Sequence, residues 1–188
     1  PGHMKRYIWR KPSFLGKHSD PLAVGTATHK ALQYIRIDGY PSDDTISAAL
    51  SSLRDEGLLT DSEHDMIDRE AIGRFFRSPL GIRFSSSKNV LREFKFSVLV
   101  NADEFDAALT EDKVLLQGVV DCAIIDDDGI TVIDFKTDSV TEESVAATAK
   151  SYRLQVKAYA DALSRIFNMP VKQAVLYFLH IGKEVEVN

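Results

Sequence analysis

The apolar positions of this chain follow a helical period up to about residue 78 and a strand period after about residue 90. The dipeptide Asp20-Pro21 joins a capping residue to a proline at the first helical position, which predicts a helix that runs to about Ile37. A second helix is predicted over 42–56, because its apolar residues recur at helical spacing and Gly57 supplies a stop. The first part of the chain is therefore expected to be helical.

Two shorter helices complete this helical part. Thr60 and Glu63 have the spacing of a capping box, in which each side chain accepts a hydrogen bond from the other residue's backbone. Asp68 has the residue type of a cap and is expected to start a further short helix. Pro79 and Gly81 are expected to close the helical part, since both are poor residues for a helix interior.

The second part alternates apolar and polar side chains, which is typical of strands. The pattern predicts strands over 94–100, 114–125, 130–135, 171–180 and 184–187, with one long helix over 142–167. This order of elements predicts an α/β fold, with a mixed central β-sheet flanked by helices.

Composition narrows the class of protein. With 188 residues, 44% of them hydrophobic, the chain suits one domain with a sizeable core. Its apolar runs stay short of the ~18 residues that a membrane span needs, so we expect no membrane contact. The single cysteine, Cys122, excludes an internal disulfide, a cysteine-rich zinc site and a four-cysteine iron–sulfur cluster, which makes a reducing cytoplasm the simplest compartment.

The net charge of −5 bears on possible partners, because a domain that holds nucleic acid by charge alone is usually basic. Either the ligand is not nucleic acid, or a metal ion and a larger basic partner supply the grip. The first three residues, Pro-Gly-His before Met4, look like a scar of tag cleavage, and 1–19 are interpreted as that scar with an irregular leader or linker. Residues 20–188 are expected to form a single domain, helical over 20–81 and α/β over 88–188.

Charged residues lie among the branched apolar residues of two neighbouring strands. The acidic turn over 126–129 joins these strands as a hairpin. One register of the hairpin pairs Asp121 with Asp134, and a second register, shifted by two residues, pairs Asp121 with Lys136. In either register the three charges share one side of the two strands, and directly opposed Cβ atoms are roughly 5 Å apart.

These three charges suit a metal site. Two close carboxylates repel each other unless a positive group lies between them, and Mg²⁺ prefers oxygen ligands. A lysine at the edge of such a site can orient a water molecule or a phosphate oxygen, so the set indicates metal-assisted phosphodiester hydrolysis. On these residues alone, a salt bridge on a solvent-facing strand is an equal alternative. The triplet Asp126–Asp128 is interpreted as a solvated turn.

The stretch GVVDCAIIDDDGITVIDFKTDSV resembles the signature of the PD-(D/E)XK nuclease superfamily. That signature is an acidic residue followed, on the next strand, by an acidic residue, any residue and a lysine. Here the matching positions are Asp121 and then Asp134-Phe135-Lys136. The resemblance implies the restriction-endonuclease-like core of that superfamily, with the N-terminal helical segment added to it.

Three further segments resemble the RecB-like members of the superfamily. YRLQVKAYADAL matches their helix with Gln155 and Tyr159, GTATHKAL matches an upstream helix with His29, and REFKFSV matches a first strand with Glu93. The ending VKQAVLYFLHIGKEVEV looks like the terminal strands of one subgroup. Together these segments resemble the C-terminal nuclease domain of AddA subunits from AddAB-type helicase–nucleases, over about residues 20–188.

The resemblance implies a metal site and its ligands. The ligands would be His29, Asp121, Asp134 and the main-chain carbonyl of Phe135. The metal would be Mg²⁺, for which Mn²⁺ would substitute, and there would be no Fe–S cluster. Without the resemblance, His29 would be read as a packed core residue, which is the commoner role of a lone histidine on a helix.

The resemblance also implies the catalytic group. Lys136 would be the catalytic lysine beside Asp121 and Asp134, while Gln155 and Tyr159 would order the site and the DNA backbone. Glu93 would contact a second metal or hold a ligating group through water. The remaining histidines have no such context and are expected at the surface: His18, His64 and His180.

The function implied by the resemblance is that of a metal-dependent DNA exonuclease domain. It would hydrolyse the 3′-ended strand delivered by a helicase motor during recombinational repair of double-strand breaks, in a bacterial cytoplasm. Its partners would be DNA, the rest of the AddA helicase and an AddB subunit. Two alternatives stay open: a stand-alone or phage-type RecB-like nuclease, and a catalytically silent DNA-binding or docking domain of the same fold.

Overall fold

The structure is a computed structural model that describes residues 20–101 and 113–187, together with the backbone of residues 6–8. Five helices precede the main strands: α1 Pro21–Tyr34, α2 Asp43–Asp55, α3 Asp61–Met66, α4 Arg69–Arg77 and α5 Pro79–Ser86. The strands are β1 Arg6–Ile8, β2 Val90–Asn101, β3 Lys113–Asp126, β4 Gly129–Lys136, β5 Val171–Phe178 and β6 Lys183–Glu186. The long helix α6, Val145–Phe167, lies between β4 and β5. Among the described residues, none of these helices combines the length and the apolar composition that a membrane span requires.

Helix starts follow the predicted capping residues. Asp20 accepts a hydrogen bond from the Leu22 backbone amide at the start of α1, and Asp68 does the same for Ala71 at the start of α4. The capping box at the start of α3 is present in full. These predictions are confirmed, because a capping side chain satisfies backbone amides that the first turn leaves without a helical partner.

The end of the helical part differs from the prediction. Pro79 does not close this part but begins α5, where Ser78 caps the helix through the Gly81 amide. Proline at the first helical position loses no hydrogen bond, because the amide it lacks has no partner there. Gly81 lies inside α5, and a Cβ there would come within 1.9 Å of the Phe75 carbonyl oxygen. This glycine therefore allows α5 to cross closely over α4.

Several boundaries also differ from the prediction. Helix α1 ends at Tyr34, α6 begins at Val145, and β5 ends at Phe178, each two or three residues inside the predicted limit. Within 1–19, residues 6–8 form strand β1, so the expectation of an irregular leader is wrong there. The remaining residues of that segment, including His18, lie outside the described part of the chain.

The sheet has six strands and is mixed, as predicted. Along the order β1-β3-β4-β5-β6, the pairs β1–β3 and β4–β5 are parallel and the others are antiparallel. Strand β2 pairs antiparallel with β3 along its length. The 14-residue β3 therefore lies at the centre of the sheet, where it meets three other strands.

The β3–β4 hairpin adopts the first of the two predicted registers. Ile125 pairs with Ile130, and Cys122 pairs with Ile133. Asp121 and Asp134 form the next position beyond this ladder. The two aspartates thus lie on adjacent antiparallel strands, because the turn centres on Asp127 and Asp128.

Helices cover both faces of the sheet. One core is formed by α1–α5 and includes Phe75, Phe135 and Tyr177, whose rings meet edge to face. The other core is formed under α6 and includes Val132 and Leu163. The fold is thus an α/β sheet between helical layers, with Cys122 as a buried thiol in the first core.

Strands β2 and β3 exchange faces at one point. On β3, Leu116 and Val120 belong to the core under α6, whereas Cys122 and Ile124 belong to the core under α1–α5. The change on β2 occurs opposite, at Glu93, whose φ of 49° is left-handed. A non-glycine residue in that conformation costs free energy and is enriched at functional sites.

Candidate metal centre

Three side chains from distant parts of the chain converge at the point where β2 and β3 change face. His29 Nδ1 lies 3.2 Å from Asp121 Oδ1 and 3.9 Å from Glu93 Oε1. One ligand atom from each residue lies within 4.8 Å of the others. His29 and Asp121 are buried and Glu93 is partly exposed, so the cluster has one side open to solvent.

Helix α1 is held against the strands on both sides of His29. Arg92, the residue before Glu93, donates to the Ile35 carbonyl at the end of α1 and stacks on the Phe84 ring, with 4.4 Å to its centroid. At the start of α1, a Cβ on Gly25 would lie 3.0 Å from Thr137 Oγ1, so this part of the helix approaches the end of β4 closely. These contacts seat His29 over Asp121.

Asp121 is fixed by the neighbouring strand. The Phe135 backbone amide donates a hydrogen bond of 2.9 Å to Asp121 Oδ2, which leaves Oδ1 facing His29. Asp134 is buried and its Oδ2 lies 2.5 Å from the Lys136 ammonium. Burial raises the pKa of Asp134, the negative charge of Asp121 raises it further, and the positive charge of Lys136 opposes both effects.

Lys136 lies deeper than the sequence suggested. We expected it at the edge of the site, but its side chain is 5% exposed. Besides Asp134, the ammonium contacts Gln155 Oε1 at 3.4 Å and the ring of Tyr152. The burial follows from the long helix α6, which covers this end of β4.

Gln155 and Tyr159 lie on the face of α6 that looks onto the site. Gln155 Nε2 donates a hydrogen bond of 2.6 Å to the Tyr159 hydroxyl oxygen. Burial raises the pKa of Tyr159 to about 12, so its hydroxyl keeps its proton. Gly118 permits this arrangement, because a Cβ there would come within 3.0 Å of the Tyr159 ring.

The converging side chains fit a divalent cation. Ligands of an ion such as Mg²⁺, each at roughly 2.1 Å from it, are themselves roughly 3–4 Å apart. The cluster of His29, Glu93 and Asp121 needs only slight closure to reach that spacing. Two carboxylates beside the buried Asp134 also favour a positive charge between them. The imidazole suits Mn²⁺ better than Mg²⁺.

The structure brings nearly all the predicted site residues to one place. His29, Asp121 and Glu93 form the cluster, and Asp134 lies next to it through its pairing with Lys136. The converging set therefore contains Glu93, which was expected outside the ligands, and not Asp134. Ligation by Asp134 and by the Phe135 carbonyl stays a prediction.

The other histidines and the acidic turn lie elsewhere. His180 is exposed, as expected, whereas His64 is buried and contacts Asp65, so that expectation was wrong. The cause is its position on the short helix α3, whose inner face covers other helices. In the turn, Asp126 pairs with Arg83, and Asp128 pairs with Lys172. These aspartates are thus engaged in surface ion pairs.

Two residues near the site were missed or undervalued in the sequence. Asp138 accepts a hydrogen bond of 3.0 Å from the Tyr152 hydroxyl, and Tyr152 lies over the Lys136 ammonium. The signal for Asp138 was present, because acidic and basic residues alternate at 134, 136 and 138. Tyr152 precedes Gln155 by three residues, which places both on one helix face.

Comparison with known families agrees with this site. The family model for the PD-(D/E)XK nuclease superfamily matches residues 2–187, so the chain belongs to that superfamily. Nucleases of this superfamily use divalent metal ions, which accords with the His29–Glu93–Asp121 cluster.

Among curated proteins, the chain is similar to the AddA subunits of several ATP-dependent helicase/nucleases. It is 32% identical over 190 residues to the one from Alkaliphilus oremlandii, covering 98% of this chain and 16% of the relative. The Moorella thermoacetica protein is 34% identical, covering 95% and 13%, and a Clostridium perfringens protein is 32% identical, covering 98% and 15%. The chain therefore spans about a sixth or less of the length of these relatives, and corresponds to their nuclease portion.

Proposed function

We propose that this chain is a divalent-metal-dependent deoxyribonuclease that hydrolyses phosphodiester bonds in DNA. The observation that carries the proposal is the convergence of His29, Glu93 and Asp121 beside the buried pair of Asp134 and Lys136. A cluster of this kind in a superfamily of nucleases is best explained by a metal that serves the reaction.

The residues that would hold the ion are His29, Asp121 and Glu93, with Asp134 and the Phe135 carbonyl as further candidates. When bound, a divalent ion can polarise a phosphate oxygen and lower the pKa of a water molecule. Asp121 is held in one orientation by the Phe135 amide, so it needs no rearrangement to act as a ligand.

The chain's own contribution to catalysis would come mainly from Lys136. Its ammonium can stabilise the negative charge that develops on the phosphate oxygens in the transition state. Gln155 contacts this ammonium and is itself bonded to Tyr159, so the two α6 residues would order the lysine and the adjacent phosphate. Buried surroundings strengthen each of these electrostatic interactions.

We further propose that the chain acts as the exonuclease portion of a larger helicase–nuclease in DNA repair. Its relatives carry that name and are far longer than this chain. The net charge of −5 agrees with this division of labour, because a basic motor region would supply most contacts to the phosphates. DNA, that motor region and a second subunit of the AddB type would then be its partners, with Mg²⁺ as the metal of the reaction.

The test is cleavage of end-labelled single-stranded DNA by the chain with Mg²⁺, with Mn²⁺ and with a chelator. We expect cleavage that requires the metal and releases products from one end. Asp121→Asn, purified in the same way, controls for contaminating nucleases and should be inactive. The assay should be repeated in the full-length protein. Absence of cleavage in both contexts would favour the catalytically silent alternative, and metal-independent cleavage would contradict the proposal.

A further inference from the structure

We propose that Tyr152 is a positioning residue for Lys136, whose ammonium it holds in place with the face of its ring. The inference rests on the proposed nuclease function, because its consequence is a faster chemical step. It concerns a residue that the superfamily signature around Asp121 and Asp134 does not include.

The contact is close and buried. Lys136 Nζ lies 3.7 Å from the centroid of the Tyr152 ring. The same ammonium lies 2.5 Å from Asp134 Oδ2 and 3.4 Å from Gln155 Oε1. Since the Lys136 side chain is 5% exposed, little solvent remains to stabilise its charge, and these three groups replace it. A cation over an aromatic ring gains more when it is desolvated.

A ring face does something for the ammonium that a carboxylate does not. It attracts the positive charge through its quadrupole and does not require one N–H to point at one lone pair. An ammonium has three donors, and Asp134 and Gln155 account for two of them. Tyr152 thus stabilises the charge while a donor stays available for a phosphate oxygen or a water molecule.

Tyr152 is itself anchored. Its hydroxyl donates to Asp138, with 3.0 Å to Oδ1 and 3.3 Å to Oδ2. Burial, and then the negative charge of Asp138, raise the pKa of the Tyr152 hydroxyl to about 12, so it remains a donor. Asp138 follows Lys136 by two residues, which ties the ring to the segment of chain that carries the lysine. The orientation of the ring is therefore set from both ends.

The kinetic test compares Tyr152→Leu with Tyr152→Phe. We expect Tyr152→Leu to lower kcat by about tenfold, because the ring face is lost. The KM for DNA and the affinity for Mn²⁺ should stay unchanged, since no metal ligand is touched. Tyr152→Phe keeps the ring and should retain kcat within about threefold. Tyr40→Leu, at a tyrosine that is 75% exposed, is the control for the substitution itself.

A second measurement tests the contact without catalysis. In the wild-type protein, the ε-methylene protons of Lys136 should be shifted upfield by the ring current of Tyr152. The shift should persist in Tyr152→Phe and vanish in Tyr152→Leu, measured by NMR on lysine-labelled protein with Lys136→Met to assign the signal. If Tyr152→Leu does not fold, Tyr152→Met replaces it, because methionine adapts to irregular space.

The outcomes separate this inference from the proposed function. Wild-type kcat in Tyr152→Leu, or equal losses in the Leu and Phe variants, would overturn the role of the ring. An unshifted Lys136 signal in the wild-type protein would overturn the contact. Wild-type protein that shows no metal-dependent cleavage would overturn the proposed function, and the positioning role with it.

Discussion

Lys136 and Asp134 form a buried ion pair, with 2.5 Å between the ammonium nitrogen and Oδ2. The lysine lies on the same strand as the aspartate, two residues further on, so both side chains leave the sheet on one face. This geometry keeps a positive charge beside the acidic cluster. It also means that a change at either residue alters stability as well as chemistry, because each charge is the other's main compensation.

Lys136→Met should lower the rate of DNA cleavage by about 100-fold or more, because the charge near the phosphate is lost. Methionine keeps the apolar stem that Lys136 packs against Tyr152. Since Asp134 is left without its cation, the melting temperature in chelator should also fall, with a cost of up to roughly 3–5 kcal/mol. Cleavage kinetics and thermal melting give both readouts. Lys157→Met, at an exposed lysine of α6, is the matched control. A Lys136→Met protein that cleaves at the wild-type rate would exclude a catalytic lysine here.

Asp134→Asn should change the melting temperature in a pH-dependent way. The pKa of Asp134 is raised to about 6, first by burial and then by the charge of Asp121. The folded protein therefore binds this proton more tightly than the unfolded chain, and Asp134 costs stability as pH rises through that range. The melting temperature of Asp134→Asn minus that of the wild type should be larger at about pH 8 than at about pH 5, in chelator. A difference that shrinks with rising pH would contradict the assigned environment.

His29→Gln should weaken binding of Mn²⁺ more than binding of Mg²⁺, because imidazole is a better ligand for the transition metal. We expect a loss of about tenfold or more in Mn²⁺ affinity, measured by electron paramagnetic resonance or calorimetry. His64→Gln is the matched control, since His64 is also a buried histidine and contacts Asp65 away from the cluster. Equal Mn²⁺ affinity in the two variants would remove His29 from the ligands.

Substitutions of Glu93 should separate its backbone from its side chain. Glu93 has a φ of 49°, which glycine adopts without cost and alanine does not. Glu93→Gly should therefore be more stable than Glu93→Ala by about 1 kcal/mol. Both should lose metal affinity to the same extent, because both lack the carboxylate. Thermal melting in chelator and metal titration test this pair, and an alanine variant at least as stable as the glycine variant would argue against backbone strain.

Much of the local structure could be predicted because it depends on neighbours in sequence. The acidic turn, with Gly129 at its end, determined the register that makes Asp121 and Asp134 adjacent. Capping residues determined where helices start, and Pro79 misled only because proline fits the first turn of a helix as well as a break. The spacing of Gln155 and Tyr159 likewise determined that they share a face of α6.

The tertiary structure alone decided which distant residues meet. His29 reaches Asp121 because Arg92 and the close approach at Gly25 seat α1 against the strands, and these contacts join parts of the chain far apart in sequence. The depth of Lys136 and the environment of His64 depend on which helix covers them, and periodicity does not report that. The left-handed backbone of Glu93 is a local feature, but it is tolerated only because the surrounding sheet and core hold it there. Sequence therefore specified the elements and the chemistry each one carries, whereas packing of those elements assembled the site.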